Sequence, residues 1–138
     1  MAQIDFSNYR WQNRLLLVFA PSLEHEEVRV QQQLLEGREA ELGDRDLLVA
    51  YLFRQKGHIE DKTLSTEEVT ALRERYGIGE DDFIVLLIGK DGTAKERLEK
   101  PMEPADLFET IDAMPMRQRE MRGESSSSPL VLKAVRIV

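Results

Sequence analysis

The chain has 138 residues, of which 41% are hydrophobic and 33% are charged, and this composition is typical of one globular domain. It contains no cysteine, which excludes disulfides, thiolate metal sites and every thiol-based catalytic mechanism. The formal net charge of −7 argues against nucleic acid as a partner, because phosphate binding needs a concentrated Lys/Arg surface.

The N-terminal segment, Met1–Arg14, is polar and carries isolated aromatic residues that would close one side of the core. It lacks the basic-then-apolar pattern of a signal peptide. No apolar run in the chain approaches the roughly 18–20 residues of a membrane span. We therefore expect a cytoplasmic protein without a membrane partner.

Three short segments are apolar throughout, which is typical of strands buried on both faces of a sheet. They are Leu15–Pro21, Leu47–Phe53 and Phe83–Ile88. The Gly89–Gly92 segment contains an Asp-Gly pair, which favours a hairpin turn, so Thr93–Leu98 is predicted to return as a further strand. Its charged residues are typical of an edge strand, because charge there opposes pairing with other chains.

The first helix is predicted to open at Ser22 and to continue through Gly37 to Gly43. Ser22 can cap it, and acidic residues follow in the first turn, where the helix dipole favours negative charge. Gly37 weakens the middle of this helix, and Gly43 is a suitable end. Helical periodicity places one apolar stripe along its length: Leu23, Val28, Val30, Leu34, Leu35 and Leu42.

The stretch Arg54–Thr63 is polar and is predicted to be a loop before the second helix. Ser65 and Glu68 have the spacing of a capping box, in which each side chain accepts a hydrogen bond from the other's backbone. Gly77 is expected to end this helix.

A third helix is predicted to begin at Pro104 and to break or kink at Pro115. The domain is expected to cover residues 1–122, followed by a Ser-rich linker over 123–129 and a strand-like tail over 130–138. We expect the tail either to add an edge strand to its own sheet or to pair with a partner or a second copy. The alternative is a frayed terminus.

The order of the predicted elements is β-α-β-α-β-β-α. A crossover helix makes the first two strands parallel, while the last two form an antiparallel hairpin. This order is that of the thioredoxin fold, an α/β fold with a four-stranded mixed sheet and helices on both faces. The first apolar run would be a central strand, with the hairpin on one side and the second run on the other.

Several short motifs are distributed between Trp11 and Arg122. They are RLLLVFAP (Arg14–Pro21), the stretch around Gln31, Leu34 and Leu35, RDL (Arg45–Leu47), LIGKDG (Leu87–Gly92) and IDAMPMRQREM (Ile111–Met121). Together they resemble one thioredoxin-like domain-of-unknown-function family, family 4174. The same domain occurs in animal sushi-repeat and coiled-coil-domain-containing matrix proteins. The resemblance implies a peroxiredoxin-related domain whose activity is not established.

In a thioredoxin fold, chemistry takes place where the first strand meets the first helix, because N–H groups at a helix start stabilise an anion. This corner holds Ser22 and His25 but no Cys-x-x-Cys motif. Ser22 could be a nucleophile with His25 as its base; the alternative is a helix cap beside a solvated histidine. The proline that precedes the third strand in redox-active members is also missing before Phe83. We predict that the corner is not catalytic.

Two other patterns resemble a metal site and a phosphate site, but neither predicts such a site. His25 and His58 have acidic neighbours, but their spacing matches no metal-binding motif, so we expect no metal and no other cofactor. The glycines of Gly89–Gly92 resemble a phosphate loop, yet a hairpin turn needs the same residues and no helix begins there.

The segment after Pro115 places methionines beside arginines, a composition seen at binding surfaces. We predict a candidate binding surface of Met116, Arg117, Glu120 and Met121. The predicted function is a non-catalytic thioredoxin-fold module that binds an unidentified protein or small ligand. The alternative is an atypical cysteine-free enzyme, related to peroxiredoxins or glutathione enzymes, that uses the N-terminus of the first helix.

Overall fold

Residues 9–59 and 62–123, the part of the chain that the computed structural model describes, form six strands and five helices. The elements are β1 (Arg14–Phe19), α1 (Glu26–Leu35), α2 (Glu39–Asp44), β2 (Leu47–Leu52), β3 (Gly57–Ile59), β4 (Lys62–Leu64), α3 (Thr66–Tyr76), β5 (Ile84–Ile88), β6 (Ala94–Leu98), α4 (Pro104–Asp112) and α5 (Pro115–Met121). They fall into two compact units, residues 1–104 and 105–138, and the first contains the whole sheet.

The strands form one mixed sheet in the order β4-β3-β2-β1-β5-β6. β1 pairs in parallel with β2 and antiparallel with β5, and β5 and β6 form an antiparallel hairpin. The sheet therefore confirms the predicted central strand, its two neighbours and the polar edge strand.

The sheet has six strands, so the predicted number of four is wrong. The segment expected to be a polar loop contains the β3–β4 hairpin, which pairs with β2 and extends the sheet. Each of these strands has three residues, too few for a periodic pattern to show. Gly57 is required where β3 approaches β2, because a Cβ there would lie 2.8 Å from the Tyr51 backbone carbonyl oxygen.

Both faces of β1 are covered. Leu15, Leu17 and Phe19 belong to a core cluster that also contains residues of α3. Leu16 and Val18 point to the opposite face and are also completely buried. Burial at consecutive positions confirms that this strand is an inner strand of the sheet, covered on both faces.

The first predicted helix is two helices in the structure. His25 precedes the first residue of α1, so the predicted start and cap at Ser22 are wrong. Gly37 has φ +80°, a left-handed conformation that glycine adopts at little cost, and α1 ends just before it. Leu23 and Val30 were expected on the buried stripe but are exposed. Leu23 lies before α1, and Val30 is two residues from the buried Val28, which places it on the opposite side of the helix.

The buried face of α1 includes a glutamine. Gln31 Nε2 donates to the Met102 carbonyl oxygen at 3.1 Å, and the Met102 N–H donates to Gln31 Oε1 at 2.7 Å. The side chain thus imitates a backbone pair and can be buried without a cost from unsatisfied polar atoms.

The start and end of α3 are as predicted. The Glu68 N–H donates to Ser65 Oγ at 3.2 Å, and the Ser65 N–H donates to Glu68 Oε1 at 2.9 Å. Gly77 follows the last turn with φ +66°. The capping box and the glycine therefore confirm both boundaries.

In the second unit, α4 ends before Pro115, and that proline is the first residue of α5. The predicted break at this position is confirmed. The predicted linker over 123–129, apart from Gly123, and the tail over 130–138 lie outside the described residues. Among the helices described, none is both long enough and apolar enough to cross a membrane.

Candidate functional site

The corner between β1 and α1 contains the two residues weighed as catalytic, Ser22 and His25. The His25 N–H donates to the Ser22 carbonyl oxygen at 3.2 Å, so their contact is through the backbone. The His25 ring lies 5.9 Å from the Phe83 ring in a stacked arrangement, and its Nε2 is 3.0 Å from Glu27 Oε1. Within the described residues, no hydrogen bond joins the Ser22 hydroxyl to the His25 ring. The corner brings these residues together without forming a nucleophile–base pair.

Arg73 of α3 is hydrogen-bonded to the backbone of the corner. Its residue is 4% exposed, and its guanidinium donates from Nη2 to the Ala20 carbonyl oxygen at 3.1 Å and from Nη1 to the Gly79 carbonyl oxygen at 2.7 Å. The guanidinium also lies 5.9 Å from the Phe19 ring. Burial is the main cause that lowers the pKa of Arg73 below its ordinary value.

Arg73 therefore fixes the end of β1 relative to the loop that follows α3. Nothing in the sequence distinguished it from the other charged residues of that helix, because its partners are backbone carbonyls distant in sequence. Its Nε has no hydrogen-bond partner among the described residues.

The histidines do not form a metal centre with the described acidic residues, because no group of three or more potential ligands is found in residues 9–59 and 62–123. His58 lies on β3, where its ring contacts the rings of Tyr51 and Phe53 at 5.8 and 6.2 Å. These contacts are those of an aromatic cluster beside β2.

The Gly89–Gly92 segment is the turn between β5 and β6. The Gly89 N–H donates to the Thr93 carbonyl oxygen at 3.0 Å, and Gly92 has φ +86°. No helix begins at this turn. Its glycines thus meet the conformational needs of the hairpin, as the sequence predicted.

The candidate binding residues on α5 have unequal exposure. Arg117 is 5% exposed, and its guanidinium is 2.9 Å from Asp112 Oδ1 and 3.7 Å from Glu120 Oε1. Met116 is half-buried, whereas Met121 is 45% exposed. The helix thus presents Met121 to solvent and uses Arg117 as an internal ion-pair centre.

Comparison with protein families places residues 5–120 in one family, described as "Domain of unknown function (DUF4174)". Coiled-coil domain-containing protein 80 of Danio rerio is 30% identical over 139 residues, which cover 87% of this chain. Sushi repeat-containing protein SRPX2 of Xenopus laevis is 30% identical over 112 residues, which cover 78% of this chain. The chain spans only 16% and 24% of the lengths of these two relatives.

Solved structures similar to the chain include two peroxidases. The reduced 2-Cys peroxiredoxin of Plasmodium vivax superimposes with a TM-score of 0.59 and 12% identity, covering 87% of this chain and 74% of its own. Thioredoxin peroxidase I of Plasmodium yoelii gives a TM-score of 0.61 and 15% identity, covering 91% and 84%. At such low identity the similarity shows the fold alone. The chain is therefore a member of the DUF4174 family with a thioredoxin-like fold and no cysteine.

Proposed function

We propose that this chain is a non-catalytic binding module built on a thioredoxin-like fold. The observation that supports this most strongly is the bonding of His25, whose ring stacks on Phe83 and contacts Glu27. A serine hydroxyl is a weak nucleophile unless a base is hydrogen-bonded to it. Since the His25 ring is engaged elsewhere, Ser22 is not activated for covalent catalysis.

The catalytic part of the proposal is tested by peroxide consumption and by reduction of insulin disulfides. The purified chain should show no turnover above a heat-denatured sample, because it has no thiolate to attack either substrate. Turnover that disappears in Ser22→Ala and His25→Ala variants would contradict the proposal and would support the alternative, an enzyme that uses this corner.

We propose that a protein partner binds the exposed side of α5. Met121 is a flexible, polarizable side chain on a helix surface, and Met116 and Glu120 lie on the same short helix. Arg117 would stabilise this surface through Asp112 and Glu120 and would not contact the partner itself.

Affinity capture with matched variants tests the surface. A partner should be retained by the wild-type chain and by Arg119→Gln, which changes an exposed residue of the same helix. It should be lost with Met121→Gln, which replaces the thioether by a polar side chain of similar length. Equal capture by Met121→Gln and the wild-type chain would contradict the proposal.

Fractionation of cells that make the natural full-length protein tests the cytoplasmic location expected from the sequence.

A further inference from the structure

A cleft of about 250 Å³ lies at the amino end of β1. The segment before β1, the last turn of α3 and the β5–β6 turn enclose it. Leu15 and Ile88, which are partners across the sheet, form part of its wall. The polar and aromatic wall includes Tyr9, Arg10, Arg75 and Tyr76, and we call this site the Arg10–Arg75 cleft.

The two arginines of the cleft are each placed against an aromatic ring. The Arg10 guanidinium lies 5.2 Å from the Trp11 ring, and the Arg75 guanidinium lies 5.7 Å from the Tyr76 ring. Neither guanidinium forms an ion pair or a hydrogen bond with the described residues. A ring against the flat face of a guanidinium leaves its N–H edge able to donate to an oxyanion.

The carboxylate that lines the cleft forms its hydrogen bonds with other residues. Asp91 also lines the cleft, but its Oδ1 accepts from the Thr93 N–H at 3.0 Å and from the Thr93 hydroxyl at 2.8 Å. Its Oδ2 accepts from Lys95 Nζ at 2.8 Å. Thr93 and Lys95 therefore occupy both carboxylate oxygens. In a chain with a net charge of −7, two arginines that have no carboxylate partner among residues 9–59 and 62–123 line one cleft.

A carbonyl group at the end of α3 also has a side-chain donor. Arg97 of β6 donates from Nη1 to the Tyr76 carbonyl oxygen at 2.7 Å. The carbonyl of the residue that follows Arg75 is thus supplied with a donor from a different arginine.

Trp11, whose ring lies beside the Arg10 guanidinium, has an unusual backbone conformation. Its φ is +72°, which is costly for a bulky residue, and its N–H donates to the Lys90 carbonyl oxygen at 2.6 Å. Trp11 is nevertheless 56% exposed, so its burial does not account for the conformation.

We propose that the Arg10–Arg75 cleft binds a small aromatic molecule that carries a phosphate or carboxylate group. The two guanidinium groups would donate to the oxyanion, as paired N–H donors do for planar or tetrahedral oxyanions. The tyrosine rings and the Leu15–Ile88 wall would contact the apolar part. The volume is slightly below the range of about 300–1,000 Å³ for drug-sized ligands, which restricts the ligand to a small one. This site is independent of the α5 surface.

Titration with phenyl phosphate tests the proposal. Trp11 is the one tryptophan of the chain, so its fluorescence reports directly on the edge of the cleft, and calorimetry measures the same binding without a reporter. Phenyl phosphate should bind saturably, inorganic phosphate more weakly, and neutral phenol not at all. Benzoate that binds more tightly than phenyl phosphate would assign the carboxylate form of the ligand.

Three matched variants locate the site. Arg10→Gln and Arg75→Gln should each weaken binding by about tenfold or more, because each removes a charge-assisted donor. Arg119→Gln removes the same charge elsewhere and should leave the affinity unchanged. Circular dichroism verifies that the variants are folded. Absence of saturable binding of both anions to the wild-type chain would overturn the proposal, as would wild-type affinity in both cleft variants.

Discussion

The two ends of β1 use arginine in opposite ways, and α3 provides one arginine to each end. At the carboxyl end, Arg73 is buried and donates to the backbone carbonyls of Ala20 and Gly79. At the amino end, Arg75 is exposed, rests on the Tyr76 ring and lines a cleft. These residues are two positions apart on one helix, so helix geometry points them to different surroundings.

The difference separates a structural charge from a candidate binding charge. The Nη1 and Nη2 groups of Arg73 donate within the chain, and the desolvation of the guanidinium is offset by two carbonyl acceptors. The N–H groups of Arg75 have no such acceptor among the described residues. A corner that resembles a catalytic site by fold is therefore internally bonded, while the opposite end keeps donors available.

The largest expected effect concerns the packing of Phe19 at the carboxyl end of β1. Phe19→Ala should lower the free energy of unfolding by about 3–5 kcal/mol, because Phe19 is completely buried in the core cluster. Leu23→Ala, in the same corner but exposed, should change it by no more than about 0.5 kcal/mol. Urea unfolding measures both. Similar losses for the two variants would show that the corner is not packed as described.

The comparison of the two arginines is tested directly by Arg73→Met and Arg75→Met. Arg73→Met should lower the free energy of unfolding by about 1–3 kcal/mol, because it removes the guanidinium donor from the Ala20 carbonyl oxygen and leaves the Gly79 carbonyl oxygen with only the Asp82 N–H. Arg75→Met should change it by about 0.5 kcal/mol or less. The same urea unfolding experiment applies. Equal destabilisation would remove the distinction between the two ends of β1.

The pKa of Tyr76 reports on the charge of Arg75, and the pKa of Tyr51 is the reference. Burial raises the pKa of Tyr51 to about 12, and burial also raises the pKa of Tyr76 while Arg75 opposes that rise. Arg75→Met should therefore raise the pKa of Tyr76 further and leave that of Tyr51 unchanged. Ultraviolet absorbance of ionised tyrosine measures both, with Tyr51→Phe to assign the signals.

The same tyrosines predict the alkaline stability of the fold. Their folded pKa values lie above the ordinary value of 10.0, so the stability they contribute is complete below pH 10.0 and is lost as the pH rises through the folded values. Tyr51→Phe should reduce the loss of stability between pH 10 and about 12. An unchanged alkaline loss in this variant would contradict the assignment to Tyr51.

The smallest expected effect concerns the turn beside the cleft. The hydrogen bond from Lys95, followed by that from the Thr93 N–H, lowers the pKa of Asp91 to about 2 from its ordinary value of 3.8. A lowered pKa contributes stability above pH 3.8 that disappears as the pH falls through about 2. Asp91→Asn should remove this contribution, which is less than about 1 kcal/mol because solvent screens the exposed pair. Acid unfolding between pH 4 and 2 provides the measurement, and an identical acid transition in Asp91→Asn would refute it.

Local patterns predicted those parts of the fold that depend on neighbouring residues. The continuous apolar run of β1 and the Ser65–Glu68 capping box are examples, since burial on both faces and helix capping are visible within a few residues. The same local patterns failed at Ser22. A capping residue was present there, but the chain continues to His25 before α1 begins.

By itself, the sequence determined the apolar central strands, the boundaries of α3, the break at Pro115 and the absence of any thiol, because each depends on residue type and on short-range backbone preference. Only the tertiary structure decided the β3–β4 hairpin, since its three-residue strands acquire their pattern by pairing with β2. The Arg10–Arg75 cleft likewise required the fold, because its two arginines are distant in sequence. The fold decides which segments lie beside each arginine, and these segments decide which hydrogen bonds the arginine can form.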